Sequence, residues 1–276
     1  MKPLSQASDK GILQAEAGRR KFALSRFEPA PELAVWIEHY WAVRWDLRGE
    51  EPYRQIVLSY PSFNIAFENE RTRTFCGIYG VPGQPYVRHL EGEGLVLGVK
   101  FRPGGFYPFS RQPAAALTGK TAPLGDVFGA EAEALGERLL ALDDEAEMAG
   151  LAERFLLARQ PEPDSQAEFA GRIVQTVIED RTLQRVEDLV ERYGLNIRTL
   201  QRLFHRYVGV SPKWVIRRFR LQEAAERLER GEADSAGLAI ELGYFDQAHF
   251  IKDFKAQIGR PPEDYIRQGP RVTGQA

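Results

Sequence analysis

Arg198, Gln201, Arg202 and His205 stand at the i, i+3, i+4, i+7 spacing of one helical face within "NIRTLQRLFHRYVGVSP", residues 196–212. Leu200, Leu203 and Phe204 repeat at i, i+3, i+4 and claim the opposite side for a core. A guanidinium can grip O6 and N7 of guanine bidentately, and a carboxamide can do the same for N6 and N7 of adenine. Such a stripe equips a helix to read base edges in a major groove. It is also how an ordinary solvated helix looks. The surroundings are basic: residues 181–220 hold ten Lys/Arg against three carboxylates, although the whole chain has a net charge of −2. A local basic cluster is either a nucleic-acid footprint or a solvated surface. One helix alone favours the surface.

Repetition reverses that preference. Val190 and Ala239 lie 49 residues apart, as do Gly194 and Gly243. Phe204 and Phe254 lie 50 apart, as do Gly209 and Gly259, and Pro212 and Pro262. Each copy reads as a short helix, a Gly turn, a capped helix closing near a Gly, then a Pro. Gly194 and Gly243 suit left-handed C-caps, and Asn196 and Asp246 suit N-caps. In the second copy Phe250 and Phe254 point inward, leaving Gln247, Ala248, His249, Lys252 and Lys255 towards the other side. Two helices joined by a tight Gly turn are the helix-turn-helix pattern. Between the copies, "SPKWVIRRFRLQEAAERLERG" opens with a capping Ser211 and with Pro212 at the first helical position. It runs roughly 19 residues, a rod of about 29 Å. Consecutive major-groove faces on one side of B-DNA lie ~34 Å apart, so the rod is long enough to hold two readers in adjacent grooves.

These residues carry a family resemblance. "RTLQRLFHRYVGVSPKWVIRRFRLQEAAERL" followed by "GYFDQAHFIKDFKAQIGRPPEDYI" resembles the AraC-type (AraC/XylS) family of bacterial transcription regulators over about 166–268. The segment G-[FY]-x-D-x-x-H-F-x-x-x-F-K, the G-x-S-P after copy one and the R-L-x-x-A of the linker helix stand in register. The resemblance implies a DNA-binding domain of two helix-turn-helices bridged by one helix. By position it places base reading on Arg198, Gln201 and Arg202, then on Gln247, His249 and Lys252, with His205 and Lys255 beside them. Departures exist. Val190 stands where Ala is usual, Val215 replaces a usual Tyr, and Ser235 takes a commonly apolar position. Lys252 replaces a frequent Arg and loses its bidentate geometry. Gly237 sits within a helix, where Gly costs roughly 1 kcal/mol against Ala.

A linker at 161–165, within "RQPEPDSQ", divides the chain. Upstream lies a β-rich domain with a helical tail, 1–160; downstream lie a helical domain, 166–268, and a tail, 269–276. "HYWAVRWD", "YRQIVLSY", "FNIAFEN", "TRTFCGIYG", "PYVRHLE" and "GLVLGVKFR" read as strands. "EAEALGERLLAL" and "EAEMAGLAERFLLAR", within about 129–159, read as amphipathic helices. The expected fold class is α+β with two domains, each with its own core. The first is an antiparallel β-sandwich or barrel-like domain with trailing helices. The second is all-α, with two helix-turn-helix motifs joined by a linker helix. "PELAVWIEHYWAVRW", "GVKFRPGGFYPF" and "LTGKTAPLGDVFG" resemble the β-rich amino-terminal domain of a subgroup of AraC-type regulators, which implies a sensor or dimerisation module. Trp36, Tyr40, Trp41, Trp45, Tyr60, Phe63, Phe67, Phe75 and Tyr79 supply a core, or an apolar pocket. Trp41, with Arg88 and Arg102 as polar anchors, forms the candidate effector-binding set.

Composition narrows the remaining classes. Cys76 is the sole cysteine, which leaves no disulfide framework or CxxC pair and fits a reducing compartment. His39 and His89 lack metal-site spacing. "RPGG", 102–105, reads as a turn rather than an anion-binding nest. No catalytic residue, metal or cofactor is expected. No apolar run reaches ~18 residues, and residues 1–21 lack the apolar core of a leader; a cytoplasmic protein without a membrane partner is expected. The expected function is a sequence-specific, effector-responsive transcription regulator acting on double-stranded DNA. RNA polymerase, a small-molecule effector and a second copy of the chain are its further candidate partners. Two alternatives stand beside it. One is a DNA-repair-associated enzyme using the same reader, which a lone cysteine disfavours. The other is a small-molecule-binding protein whose helical domain mediates protein contacts.

Overall fold

Period-2 alternation of apolar and polar side chains builds the amino-terminal half. The computed structural model describes residues 1–4, 18–57, 60–70, 73–83 and 86–267. β1 (Ala23–Phe27), β2 (Ile37–Leu47), β4 (Asn64–Glu70), β5 (Arg73–Tyr79), β7 (Gly92–Phe101) and β8 (Thr121–Pro123) form one six-stranded sheet. Its order is β1-β2-β7-β4-β5-β8, with every pair antiparallel. Among the described residues, β3 (Tyr53–Val57) and β6 (Tyr86–Leu90) pair only with each other. The sandwich is therefore lopsided: its second layer is a two-stranded ribbon. The short strands β1 and β8 add to the six expected. The end of "YRQIVLSY" at 58–59 and the tail 269–276 lie outside the described residues.

One face of the sheet is apolar. Tyr40, Ala42, Ile65, Phe67, Ile78, Leu97, Val99 and Phe101 are buried in the main core. Helices cover this face. After the short α1 (Tyr107–Ser110), a 3₁₀ turn at Ala114–Leu117 and α2 (Gly125–Phe128) come α3 (Glu131–Leu140) and α4 (Glu145–Leu157). Buried Leu135, Leu139, Met148 and Ala152 on these two helices join the same core. The other face carries Trp41, Val43, Trp45, Asn64, Ala66, Glu68, Val96 and Lys100. Trp41 lies opposite Gly98, and Trp45 opposite Gly94. A Cβ on Gly98 would sit 2.0 Å from Trp41 Cε2, and one on Gly94 would sit 2.2 Å from Trp45 Cζ2. Each indole rests against a glycine, as close approach in a strand requires.

The carboxy-terminal half is helical: α5 (Ser165–Glu179), α6 (Val186–Tyr193), α7 (Ile197–Tyr207), α8 (Pro212–Glu229), α9 (Ser235–Glu241), α10 (Gln247–Ile258) and α11 (Pro262–Arg267). Separate cores on either side of the linker are not what forms. The main core runs from Phe27 through α5 to Leu200, Phe204 and Ile216. The "RPGG" turn is the seam. A Cβ on Gly104 (φ +83) would lie 2.4 Å from Ala167 O, and one on Gly171 would lie 2.5 Å from Pro103 O. These glycines let the turn and α5 touch backbone to backbone. A second, smaller cluster holds Leu221, Leu228, Leu238, Phe250, Phe254 and Tyr265. Among the described residues, no helix is long and apolar enough to cross a membrane.

Gly98→Val tests the indole-on-glycine packing. Overpacking of this kind costs about 1–3 kcal/mol. The urea midpoint should fall accordingly, and the near-ultraviolet dichroism should change as Trp41 is displaced. An unchanged midpoint would show that Trp41 does not rest on the sheet.

Candidate nucleic-acid interface and adjoining cavity

The first unit is α6, a turn, and α7. Gly194 takes φ +61, and the amide of Leu195 donates to Val190 O at 3.1 Å, closing α6. Asn196 Oδ1 accepts from the Thr199 amide at 2.8 Å and opens α7. Leu200, Leu203, Phe204 and Tyr207 are buried, while Arg198, Gln201, Arg202 and His205 are all exposed along one stripe. The end of α7 is clamped to the amino-terminal half. Arg206 Nε donates to Tyr107 Oη at 2.8 Å, the Tyr107 and Tyr207 rings meet edge to face at 4.6 Å, and Thr118 Oγ1 donates to Gly209 O at 2.6 Å.

The second unit repeats the device. Gly243 takes φ +72, and the amide of Tyr244 donates to Ala239 O at 2.9 Å. Asp246 Oδ1 accepts from the His249 amide at 2.7 Å. Phe250 and Phe254 are buried, and Gln247, Ala248, His249, Lys252 and Lys255 are exposed. Gly237, the weak point in the sequence of α9, is tied by its amide to Asp234 Oδ1 at 2.6 Å. The strut between the units is α8, with 18 residues and a length of about 27 Å. Ser211 Oγ caps it by accepting from the Trp214 amide at 3.1 Å.

The same α8 forms a wall of a cavity of about 730 Å³. Its floor is the face of the sheet that carries Trp41 and Trp45, and its lid is the β3–β6 ribbon through Gln55, Val57, Tyr86 and Arg88. Arg218, Phe219 and Gln222 close it from α8. Trp41, Arg88 and Arg102 all line this one space. Arg88 is held by Glu68 Oε2 at 3.2 Å and by Glu70, so two carboxylates already neutralise it. Arg102 is exposed, with Nε on Ala34 O at 2.7 Å. Trp41 Nε1 donates to Asn64 Oδ1 at 3.2 Å.

Residues that sequence reasoning passed over dominate the polar lining. Lys100 pairs with Glu38 Oε1 at 3.0 Å, and its ammonium stands 3.8 Å from the Tyr60 ring centroid. Burial lowers its pKa, against the pull of Glu38. Arg218 is only 1% exposed, and burial brings its pKa down to about 9, opposed by Glu226 and Tyr60. Tyr60 in turn packs edge-on against Phe219 at 5.6 Å. The outer side of the ribbon reaches the second unit: Ile56 packs on the smaller cluster, close to Gly259.

Comparison with known proteins agrees with the helical geometry. Residues 189–268 match the family described as a helix-turn-helix domain. Residues 25–123 match a family described only as a domain of unknown function (DUF6597). The HTH-type transcriptional activator RhaS of Escherichia coli O139:H28 (strain E24377A / ETEC) is 35% identical over 81 residues, 29% of each chain. An uncharacterized HTH-type transcriptional regulator of Haemophilus influenzae is 32% identical over 80 residues, 29% of this chain and 27% of that one. The chain carries an AraC-type helix-turn-helix domain. It spans less than a third of the length of these curated relatives. Among solved structures, ToxT from Vibrio cholerae shares 12% identity at a TM-score of 0.40, over 80% of this chain and 98% of that one. That likeness is too weak for a comparison of sites.

Outside the AraC-type domain, two reactive side chains of the amino-terminal half are quenched. Burial, then the charge of Glu68, pushes the Cys76 thiol up to about 11, which suppresses the thiolate that cysteine chemistry needs. His39 borders the cavity, and burial, then the charges of Lys100, Arg26 and Arg102, holds its pKa down to about 3. Glu38 Oε1 lies 3.7 Å from its Nδ1, but that carboxylate is shared with Lys100. His89 is exposed.

His39 makes stability pH-dependent in a definite direction. As pH falls below about 6.5, the unfolded chain takes up a proton that the folded His39 refuses until about 3. Stability is therefore lost progressively across that window. In urea titrations, His39→Gln should flatten the fall in unfolding free energy between pH 6.5 and 3 relative to wild type. Parallel curves would show that His39 is not buried as described.

Proposed function

We propose that the protein is a sequence-specific DNA-binding transcription regulator that responds to a small molecule held by its amino-terminal domain. One observation carries the reading: α8 packs on the first unit through Val215 and Ile216 and on the second from Leu221 to Leu228, so it joins two exposed polar stripes, while its Arg218, Phe219 and Gln222 line the cavity. Arg198, Gln201, Arg202 and His205 face one major groove in this reading, and Gln247, His249, Lys252 and Lys255 face the next. Arg202 and Gln201 suit guanine and adenine respectively, whereas the two lysines suit phosphates as point charges. A ligand in the cavity would press on Arg218 and Phe219 of α8 and on the inner side of the ribbon, whose Ile56 touches the second unit. A ligand that changes DNA affinity in this way is itself bound more or less tightly by the DNA complex, by the same factor.

The repair-enzyme alternative has little to act with, since Cys76 is the sole cysteine and its thiol is pushed up by burial. RNA polymerase and a second copy of the chain remain proposed partners on the strength of the domain type alone.

Selection of bound fragments from genomic DNA by the full chain should return one recurring site, with affinity falling steeply as salt rises. Arg202→Ala should then cost about 1–3 kcal/mol at one base position. A uniform loss across all sequences would make Arg202 a phosphate contact. For the sensor, a metabolite library should be screened against the full chain, because cutting at the linker would tear the shared core. A binder should raise the melting temperature and quench tryptophan fluorescence, and Trp41→Phe should weaken the quench. A library without a single binder would leave the amino-terminal domain as a dimerisation module.

A further inference from the structure

The repeat is not exact, and its irregularity falls at one residue. The offset between copies is 49 as far as Gly194 and Gly243, and 50 from the caps Asn196 and Asp246 onward. The turns close alike. Leu195 donates to Val190 O, and Tyr244 donates to Ala239 O, so Tyr244 is the counterpart of Leu195. The extra residue of the second turn is Phe245, which has no counterpart in the first.

Phe245 is 96% exposed, the most exposed large apolar side chain among the described residues. A residue just before an N-cap often packs back on the fourth helical position as a hydrophobic staple. Here that position is Phe250, and Tyr244 already covers it, with ring centroids 5.4 Å apart. Tyr244 is fixed further by its hydroxyl on Asp253 Oδ2 at 3.3 Å. The packing role is filled, and the inserted ring is left in water. It stands at the amino-terminal end of α10, beside exposed Gln247 and Ala248. In helix-turn-helix readers, that end meets the base edges. The first unit also presents an apolar side chain there: Ile197, the first residue of α7, is 42% exposed.

We infer that Phe245 is a specificity-determining residue of the second unit, its ring covering the C5-methyl group of one thymine in the major groove. Apolar contact with that methyl is the means by which an aromatic side chain distinguishes thymine. DNA is the occupant because the ring sits beside exposed Gln247 and His249, on the same helix as exposed Lys252 and Lys255, side chains suited to bases and phosphates. The inference rests on the DNA-binding reading proposed above.

The test uses the full chain and the duplex it selects. Each dT of that duplex is replaced in turn by deoxyuridine, which removes the methyl and leaves the base-pairing and groove hydrogen-bonding groups in place. One replacement should weaken wild-type binding about three- to fivefold, the worth of one buried methyl group. The same replacement should leave Phe245→Ala unaffected, while Phe245→Ala itself should keep the wild-type melting temperature. If deoxyuridine weakens both proteins equally at every position, or weakens neither, Phe245 does not read thymine. Wild-type affinity of Phe245→Ala for every duplex would assign the ring to a protein surface and also overturn the inference. If the wild-type chain selects no sequence at all, the DNA reading falls, and the inference falls with it.

Discussion

The close approach of the "RPGG" turn to α5 constrains everything downstream of it. Gly104 and Gly171 have no side chains to keep two backbones apart, so Ala167 O and Pro103 O lie within 2.4 and 2.5 Å of where Cβ atoms would otherwise stand. That contact lets the sheet, α5 and α7 share one apolar core instead of two. Tyr107 and Thr118 add polar ties to the end of α7. Helix α7 is consequently part of the amino-terminal body. A shift of the sheet relative to α5 would have to break a close-packed interior, and such interiors do not deform gradually.

The second unit is held differently. Its cluster is small, and its links to the rest include α8, through Arg217 on Asp253 Oδ1 at 2.6 Å, the ribbon at Ile56, and Gln184 Nε2 on Glu241 O at 3.3 Å. α8 is thus both a strut and a boundary. Arg218 and Arg220 are both buried; Arg218 lies beside Tyr60 of the amino-terminal half, and Arg220 reaches Asp180 O at 3.1 Å and also contacts Leu183 O, in the connection between α5 and α6. Burying guanidinium groups is costly unless they are hydrogen-bonded. A cavity beside them is a place where small changes in charge or solvation have large effects.

Much of this was legible in residue order. Alternation marked the long strands, because a face that must be buried writes a period of two into the chain. The repeat, its Gly turns and its Asn and Asp caps marked the helical units, because local hydrogen bonding at helix ends demands those residue types. β1 and β8 were not legible: "ALSRF" carries no β-branched residue to mark a strand, and "TAP" is too short to display a period. The shared core was hidden for another reason. A Pro-rich linker signals a break in local structure, but nothing in it reports whether the flanking segments meet again in space. Arg218 was hidden as well, since an arginine on a helix reads as surface unless its partners are known. Trp41, Arg88 and Arg102 were named as one set and do line one cavity, yet Arg88 is occupied by Glu68 and Glu70, which no spacing along the chain reveals.

The two units therefore share one motif in different mechanical settings. The first is anchored in the large core, and its stripe carries two arginines and a glutamine suited to bidentate reading. The second rests on a small cluster and carries two lysines, which attract phosphates without fixing an angle. A rigid mount favours discrimination, because a misplaced bidentate donor loses both bonds. A looser mount with point charges favours affinity that survives small displacements. An inserted apolar residue at the turn suits that unit, since contact with a methyl group tolerates more misalignment than a pair of hydrogen bonds. The difference between the copies follows from where each one is attached.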